Sequence, residues 1–178
     1  MTFSALFKSD CVQLQNAVYR LELEIDINRL RQHVTLNRQM NCYKLKLECA
    51  TVQIFLVSRS AMCFVRKTKV LPNVTDYGLV IKNSRLVTCV YTLMLPLKSV
   101  NLYKFYYACR DSYPNLDVEY EPEIFPCVTI KCFNVTMRVF RKGKAIVLGV
   151  KSSKQLVEPL RFLSIVCFDY KMTQKIYL

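Results

Sequence analysis

The chain has 178 residues, of which 52% are hydrophobic, and its 26 Lys and Arg against 13 Asp and Glu give a formal net charge of +13. This composition predicts a folded chain of one domain or of two fused half-domains. Three glycines are too few for a glycine-rich phosphate loop, and one histidine with nine scattered cysteines and no CxxC pair argues against a zinc site. We therefore expect no metal, no cofactor and no enzyme active site, whereas the charge favours a polyanionic partner, nucleic acid ahead of a membrane surface.

The sequence also bears on the cellular compartment. No run of about 18 uncharged apolar residues is present, so no membrane span is expected, and the first ten residues are too short in apolar length for a signal peptide. Most cysteines lie among apolar residues of predicted strands. We expect them to be buried free thiols in a reducing intracellular compartment.

The first half of the chain predicts strands with one short helix. Residues 1–10 are expected to form a loose arm. Alternating apolar residues predict a long strand over 12–27, and Asp26 is placed to cap a helix over 27–33. A polar link is expected over 36–40. Three further strands are predicted at residues 43–47, 50–57 and 61–66.

The second half repeats this order and adds a final helix. Residues 70–82 contain Pro72, Asn73 and Gly78, which predict a loop. A long strand over 86–97 and a helix over 98–109, with Val100, Tyr103 and Tyr107 on its apolar face, are predicted next. Strands follow at 128–132, 135–140 and 145–150. Ser152 or Ser153 is expected to cap a helix running toward residue 162, bent or limited by Pro159, and residues 164–170 are expected to form a strand or a packed tail.

The two halves are imperfect copies of each other. When residues 40–55 are laid over residues 125–140, four of the sixteen positions are identical. A period near 85 residues predicts two similar half-domains, and strands that are not interleaved helix by helix predict an α+β fold with a curved antiparallel sheet and helices on one face. The identical pairs are Cys42 and Cys127, Lys46 and Lys131, Thr51 and Thr136, and Phe55 and Phe140.

Strand alternation sorts the predicted strands into two faces. In residues 135–140, Val135, Met137 and Val139 should face the helices, while Thr136, Arg138 and Phe140 face the other way. The same alternation places Thr51, Gln53 and Phe55 together. A basic, partly apolar sheet face that no helix covers is a plausible platform for nucleic acid.

Several motifs together resemble the TATA-box-binding protein (TBP) family. They are Tyr-Glu-Pro-Glu-Ile-Phe-Pro at 120–126, a strand pair ending in Val-Phe, a basic turn closing on Gly-Lys at 143–144, and Gly-x-Lys at 149–151. Their order follows the second repeat of that family, although the first hairpin is two residues shorter here. The resemblance implies a saddle of two pseudo-repeats, with helices on its convex face. It also implies a single domain, 1–178, with a first pseudo-repeat at 12–69, a linker loop at 70–82 and a second pseudo-repeat at 83–170.

The resemblance further implies which residues contact DNA. Phe125 and Phe140 match the apolar wedges of the second repeat, and Phe55 and Met40 match those of the first. Lys46 and Lys131 match phosphate contacts, Asn16 matches a residue at the groove centre, and Gln53 and Arg138 occupy positions where the family has leucine. The implied DNA-binding set is Asn16, Val18, Met40, Lys46, Gln53, Phe55, Lys67, Phe125, Lys131, Arg138, Phe140, Lys144 and Lys151.

The implied function is that of a TBP-like transcription initiation factor without enzyme activity. It would bind and bend the minor groove of double-stranded promoter DNA through the concave sheet face, in the nucleus or at a site of viral transcription. Glu121, Glu123 and Ile124 match the residues through which the family engages a TFIIB-like general transcription factor, and other transcription-complex subunits are expected partners. The alternative is an adaptor that keeps the fold for protein assembly but has lost TATA-specific DNA binding. Since the second half keeps both wedges, it is expected to carry most of the function.

Overall fold

The computed structural model describes residues 12–176, with side chains as far as residue 171. The predicted arm at residues 1–10 lies outside the described residues. The chain divides into two compact units. The N-terminal unit is Leu14–Cys89, and the C-terminal unit is the described part of Val90–Leu178 together with residues 12–13.

The N-terminal unit is an antiparallel sheet with little helix. Its elements are β1 (Val12–Ile25), α1 (Ile27–Leu30), β2 (Thr35–Asn37), β3 (Cys42–Lys46), β4 (Ala50–Phe55), β5 (Ser60–Arg66), a 3-10 turn (Thr75–Tyr77) and the first part of β6 (Leu79–Met94). The strands lie in the order β2-β3-β4-β5-β1-β6. The pairs from β2 through β1 are antiparallel.

Strand alternation creates the core of this unit. Val52 and Ile54 of β4 are buried, as are Leu21 and Leu23 of β1, whereas the residues between them are more exposed. The helix α1 begins where predicted, because the Asp26 carboxylate accepts hydrogen bonds from the backbone N–H groups of residues 28 and 29, at 3.1 and 3.3 Å.

The C-terminal unit pairs a sheet with two helices. It contains the end of β6, then α2 (Leu102–Ser112), β7 (Asp117–Glu119), β8 (Cys127–Cys132), β9 (Val135–Phe140), β10 (Lys144–Val150), a 3-10 turn (Ser153–Leu156) and α3 (Val157–Ile176). The strands lie in the order β6-β10-β9-β8-β7. The helices pack on each other through the rings of Phe105 and Tyr170, whose centroids are 5.7 Å apart.

The three central strands of this unit agree with the sequence pattern. The predicted core residues Val135, Met137 and Val139 are buried. Phe133 and Asn134 form the predicted turn between β8 and β9, with φ angles of 53° and 57°. Two-residue hairpin turns with both φ angles positive match the twist of the flanking strands.

Several sequence predictions were wrong. The long strand β6 begins at Leu79 instead of residue 86, so the predicted loop ends earlier. The polar link at 36–40 contains part of β2, and the short edge strand β7 was not predicted. The helix α3 continues to Ile176 through residues 164–170, which form neither a strand nor a tail. Pro159 is tolerated because it lies in the first turn of α3, where helix N–H groups lack partners within the helix.

The predicted apolar face of α2 was also wrong. The helix starts later than expected, because the Asn101 side chain accepts a hydrogen bond from the Lys104 N–H at 3.1 Å. Leu102, Phe105 and Cys109 are the buried residues of the helix, and Tyr103 is 60% exposed. Tyr103 and Tyr107 do share a face, since the Tyr103 hydroxyl donates to the Tyr107 hydroxyl at 3.2 Å, but the buried face is the one that carries Phe105 and Cys109.

The described cysteines are all free thiols. Cys42, Cys63, Cys89, Cys109, Cys127 and Cys167 are buried, Cys132 is half-buried and Cys49 is exposed. Burial raises the pKa of the Cys109 thiol and of the Cys167 thiol to about 12. No helix within the described residues is long and apolar enough to cross a membrane.

Candidate nucleic-acid interface

The sheet of the C-terminal unit has one buried and one open face. Strand register aligns Thr129, Arg138 and Ile146 across β8, β9 and β10, and it likewise aligns Lys131, Thr136 and Leu148. These side chains are half-buried or exposed, while most of their neighbours along each strand are buried. We call this surface the C-terminal open face, and it consists of Thr129, Lys131, Thr136, Arg138, Phe140, Ile146 and Leu148.

An aromatic pair lies at one end of this face. Phe140 ends β9, and Phe125 is held beside it by a turn in which the Glu121 carbonyl accepts hydrogen bonds from the N–H groups of Ile124 and Phe125, at 3.1 and 2.9 Å. The ring centroids of Phe125 and Phe140 are 6.0 Å apart with an edge-to-face angle of 70°. The Phe125 ring remains 45% exposed. Phe140 is half-buried. An accessible aromatic pair of this kind has the chemistry required to insert between stacked bases.

The Arg138 guanidinium packs against one ring of this pair. The carbon at the centre of its guanidinium group lies 5.0 Å from the centroid of the Phe125 ring, within the range of a cation–π contact. Its Nε atom is buried and has no hydrogen-bond partner among the described residues. An unpaired buried donor carries a desolvation cost, which a hydrogen bond donated from this Nε to an acceptor would offset.

The Lys131 ammonium forms salt bridges with two carboxylates. Its ammonium lies 2.5 Å from a carboxylate oxygen of Glu119 and 3.2 Å from one of Asp117, both on the edge strand β7. Hydrogen bonds to Glu119 and then to Asp117 raise the pKa of Lys131 above its usual value. The family resemblance implied that Lys131 contacts phosphate, and its ion pairs with Asp117 and Glu119 were not predicted. Their only signal was the three-residue Asp-Val-Glu alternation, which is too short to indicate a strand.

The N-terminal unit has a corresponding open face. Register aligns Arg20, Met62, Gln53 and Lys44 across β1, β5, β4 and β3. A second row aligns Val18, Phe64, Thr51 and Lys46. We call this surface the N-terminal open face, and it consists of Arg20, Lys44, Lys46, Thr51, Gln53, Phe55, Met62 and Phe64. Arg20, Lys44, Met62 and Phe64 were not among the predicted contacts, because the sequence alone does not give strand register.

The predicted residues of this unit differ in accessibility. Phe55 and Gln53 are half-buried on β4. Lys46 is exposed at the end of β3, and it belongs to none of the ion pairs found among the described residues. Asn16 is half-buried opposite Arg66. Val18 lies on the open side but is only 8% exposed, so little of it is available to a ligand.

The remaining predicted residues lie in turns or at strand ends. Met40 is exposed between β2 and β3, where its N–H donates to the Asn37 side chain at 3.3 Å. Lys67 follows β5 with a φ of 56°. Lys144 begins β10 and Lys151 follows it, both exposed. The predicted partner-binding residues Glu121, Glu123 and Ile124 lie on the exposed turn that also holds Phe125.

The described residues contain no group of three His, Cys, Asp or Glu side chains that could hold a metal ion. Each of the two units instead presents a strand face that carries aromatic, aliphatic and basic side chains. Such surfaces bind ligands by charge and stacking.

Comparison with known proteins agrees with this architecture. Residues 86–166 match the family model described as "Transcription factor TFIID (or TATA-binding protein, TBP)", which covers somewhat under half of the chain. The solved structure "Methanococcus jannaschii TBP" matches with a TM-score of 0.64 and 18% sequence identity, over 89% of this chain and 98% of that one. A search of curated protein sequences finds no match.

The structural match confirms the predicted fold class, since the protein is α+β with an antiparallel, unclosed sheet and few helices. The family match includes α2, the turn that holds Phe125, and strands β8–β10. The chain therefore has a TBP-like fold along most of its length, and residues 86–166 match the sequence model of that family.

Proposed function

We propose that this TBP-like protein is a transcription initiation factor that binds the minor groove of promoter DNA through its two open faces and bends it. The observation that carries the proposal is the edge-to-face pair of the exposed Phe125 and the half-buried Phe140 at the end of the C-terminal open face. Wedging of such side chains between base steps is how TBP-type proteins kink DNA. The formal net charge of +13 supports attraction to the phosphate backbone.

The proposal includes recruitment of a second protein. Glu121, Glu123 and Ile124 are exposed on one turn, and Ile124 is 78% exposed. An apolar side chain flanked by two carboxylates suits a basic partner surface with an apolar centre. We propose a TFIIB-like factor as this partner and the nucleus as the place of action, as is general for TBP-like transcription factors.

A second candidate function has observations in its favour. The ion pairs of Lys131 with Asp117 and Glu119, and the contact of Arg138 with Phe125, engage two cations that would otherwise face DNA. A protein that no longer needs these cations for DNA would retain the fold for protein assembly alone. This adaptor would assemble a transcription complex without bending DNA.

Equilibrium binding to duplex DNA over a salt series separates the two candidates. For an initiation factor, log Kd should rise steeply and linearly with log salt concentration, since bound cations release counterions from the phosphates. Phe125→Ala should weaken binding roughly tenfold, through loss of a stacking contact of about 1–3 kcal/mol. Phe133→Ala is a matched control, because Phe133 is equally exposed at 45% but lies at the tip of the β8–β9 hairpin. Absence of binding at low salt, or equal losses in both variants, would contradict the proposal.

A further inference from the structure

The N-terminal open face carries polar side chains where contact with base edges is expected. Gln53 lies at its centre, with Met62 on one side and Lys44 on the other in the same cross-strand row. Directly opposed side chains on neighbouring strands have Cβ atoms about 4.5–5.5 Å apart. Arg20 extends the row beyond Met62. The row therefore presents an amide between two cations on a single strand face.

The Gln53 amide is free to bind a ligand. It has no hydrogen-bond partner among the described residues, and its side chain is half-buried on β4. Phe55, the proposed wedge of this unit, lies two residues further along β4 and on the same side of the sheet as Gln53. A side chain so placed would meet the base pair adjacent to a wedged step.

The chemistry of the minor groove determines what this amide can distinguish. A·T and T·A pairs present only acceptors there, adenine N3 and thymine O2, whereas a G·C pair adds the donor N2–H₂ of guanine. An apolar side chain pressed against that amino group leaves the donor without a partner, at a cost of about 1–3 kcal/mol. A glutamine amide can accept from guanine N2 through its carbonyl oxygen, and it can donate to the acceptors of either pair through its NH₂ group.

We propose that Gln53 makes the N-terminal open face accept G·C base pairs, so that the DNA bound by this half of the protein is not restricted to A·T sequence. Arg20 and Lys44, at the two ends of the row, hold phosphates or base acceptors and contribute no discrimination of their own. This inference rests on the proposed DNA-binding function and adds the class of sequence that the site takes.

The test uses the full chain, three duplexes and two variants. The duplexes are an all-A·T sequence, the same sequence with central G·C pairs, and a third in which inosine replaces each guanine. Inosine lacks the N2 amino group, so its pair with cytosine presents an A·T-like minor groove. The variants are Gln53→Leu and the control Gln32→Leu, which alters an exposed glutamine in the turn after α1. Circular dichroism and thermal unfolding establish that both variants are folded.

The wild-type protein and Gln32→Leu should bind all three duplexes within about threefold of one another. Gln53→Leu should lose roughly tenfold more affinity on the G·C duplex than on the all-A·T duplex, and its affinity for the inosine duplex should match that for the all-A·T duplex. Rejection of the G·C duplex by the wild type, or an equal effect of Gln53→Leu on all three duplexes, would overturn the inference while leaving the proposed function in place. Absence of binding to every duplex would overturn both.

Discussion

At the scale of single residues, the C-terminal open face is controlled by the partners of its cations. Lys131 and Lys46 occupy equivalent positions in the repeat, but only Lys131 is paired with carboxylates within the described residues. The difference comes from β7, which places Asp117 opposite Lys131 in register and Glu119 opposite Thr129. A phosphate that binds Lys131 must compete with both carboxylates. The two halves should therefore differ in their contribution to DNA affinity.

Removal of the two carboxylates should strengthen DNA binding. The double variant Asp117→Asn, Glu119→Gln frees Lys131 and removes two negative charges from the edge of the face. We expect Kd to fall at least threefold at low salt and the salt slope to steepen by roughly one. Binding titrations across a salt series measure both quantities.

The control for this prediction is Asp111→Asn, which breaks a similar surface ion pair, 3.3 Å from Arg110, on helix α2. It should leave DNA affinity nearly unchanged. Addition of Lys131→Ala to the double variant should remove the gain in salt slope. Persistence of the full gain without Lys131 would show that general charge, and not release of this lysine, is responsible.

The buried thiols predict how stability depends on pH. Burial raises the pKa of Cys109 to about 12, with smaller contributions from Cys167 and Cys132, whereas the ordinary pKa of a thiol in an unfolded chain is about 9. Above pH 9 the unfolded chain loses a proton that the folded chain keeps. The free energy of unfolding should therefore fall as pH rises from 9 toward 12, by up to about 1.4 kcal/mol per pH unit for each such thiol.

Denaturant unfolding at several pH values between 8 and 11 measures this slope. Cys109→Ala should reduce the slope, while Cys49→Ala, which removes an exposed thiol, should leave it as in the wild type. An identical slope in Cys109→Ala and the wild type would refute the assignment to this thiol.

At the scale of elements, the turn between β9 and β10 fixes the chain that leads from β6 into α2. The Gly143 carbonyl accepts a hydrogen bond from the Leu95 N–H at 2.7 Å, and the Arg141 carbonyl accepts one from the Val100 N–H at 2.7 Å. Gly143 has a φ of 75°, and a Cβ atom there would lie 2.5 Å from the Leu97 carbonyl oxygen. Both the conformation and the close approach require glycine.

Gly143→Ala should destabilise the protein by about 2–4 kcal/mol, through a left-handed conformation and a clash with backbone. Gly149→Ala is a matched control with a φ of 89°, because the nearest atom to its added Cβ is 3.5 Å away, an ordinary contact. It should cost only the strain of its conformation, about 1–2 kcal/mol. Chemical denaturation measures both, and equal losses would contradict the role of the Leu97 contact.

Elements with a full alternating pattern could be predicted from the sequence, as could the start of α1 from its Asp26 cap, whereas three-residue strands could not. β9 has six alternating residues between turn signals, and its predicted bounds coincide with the observed ones. β2 and β7 have three residues each, so local pattern does not distinguish them from loops. The start of α2 depends on the Asn101 cap, and the choice of its buried face depends on packing against α3, where Phe105 contacts Tyr170.

The candidate site shows the same division. Motif spacing predicted Phe125, Phe140 and Lys131 as candidate contacts, and the structure places Phe140 and Lys131 on the C-terminal open face with Phe125 beside Phe140. The contact of Arg138 with Phe125 and the ion pairs of Lys131 depend on side-chain placement and strand register, which the sequence does not specify.

At the scale of the whole molecule, a formal net charge of +13 coexists with a local acidic edge in the C-terminal unit. Asp117, Glu119, Glu121 and Glu123 lie on β7 or on the turn that follows it. Long-range attraction to DNA is therefore combined with a local region that repels phosphate and favours basic protein surfaces. We propose that insertion of Phe125 and Phe140 between base steps overcomes this local repulsion and bends the DNA.

The most direct test is the end-to-end distance of a duplex labelled at its two ends with fluorescent donor and acceptor, measured by energy transfer at saturating protein. The wild-type protein should shorten this distance, and Phe133→Ala should shorten it equally. The double variant Phe125→Ala, Phe140→Ala should bind without shortening it, since cations alone can hold phosphates but cannot wedge base steps. A saturated wild-type complex in which the duplex remains straight would contradict the claim.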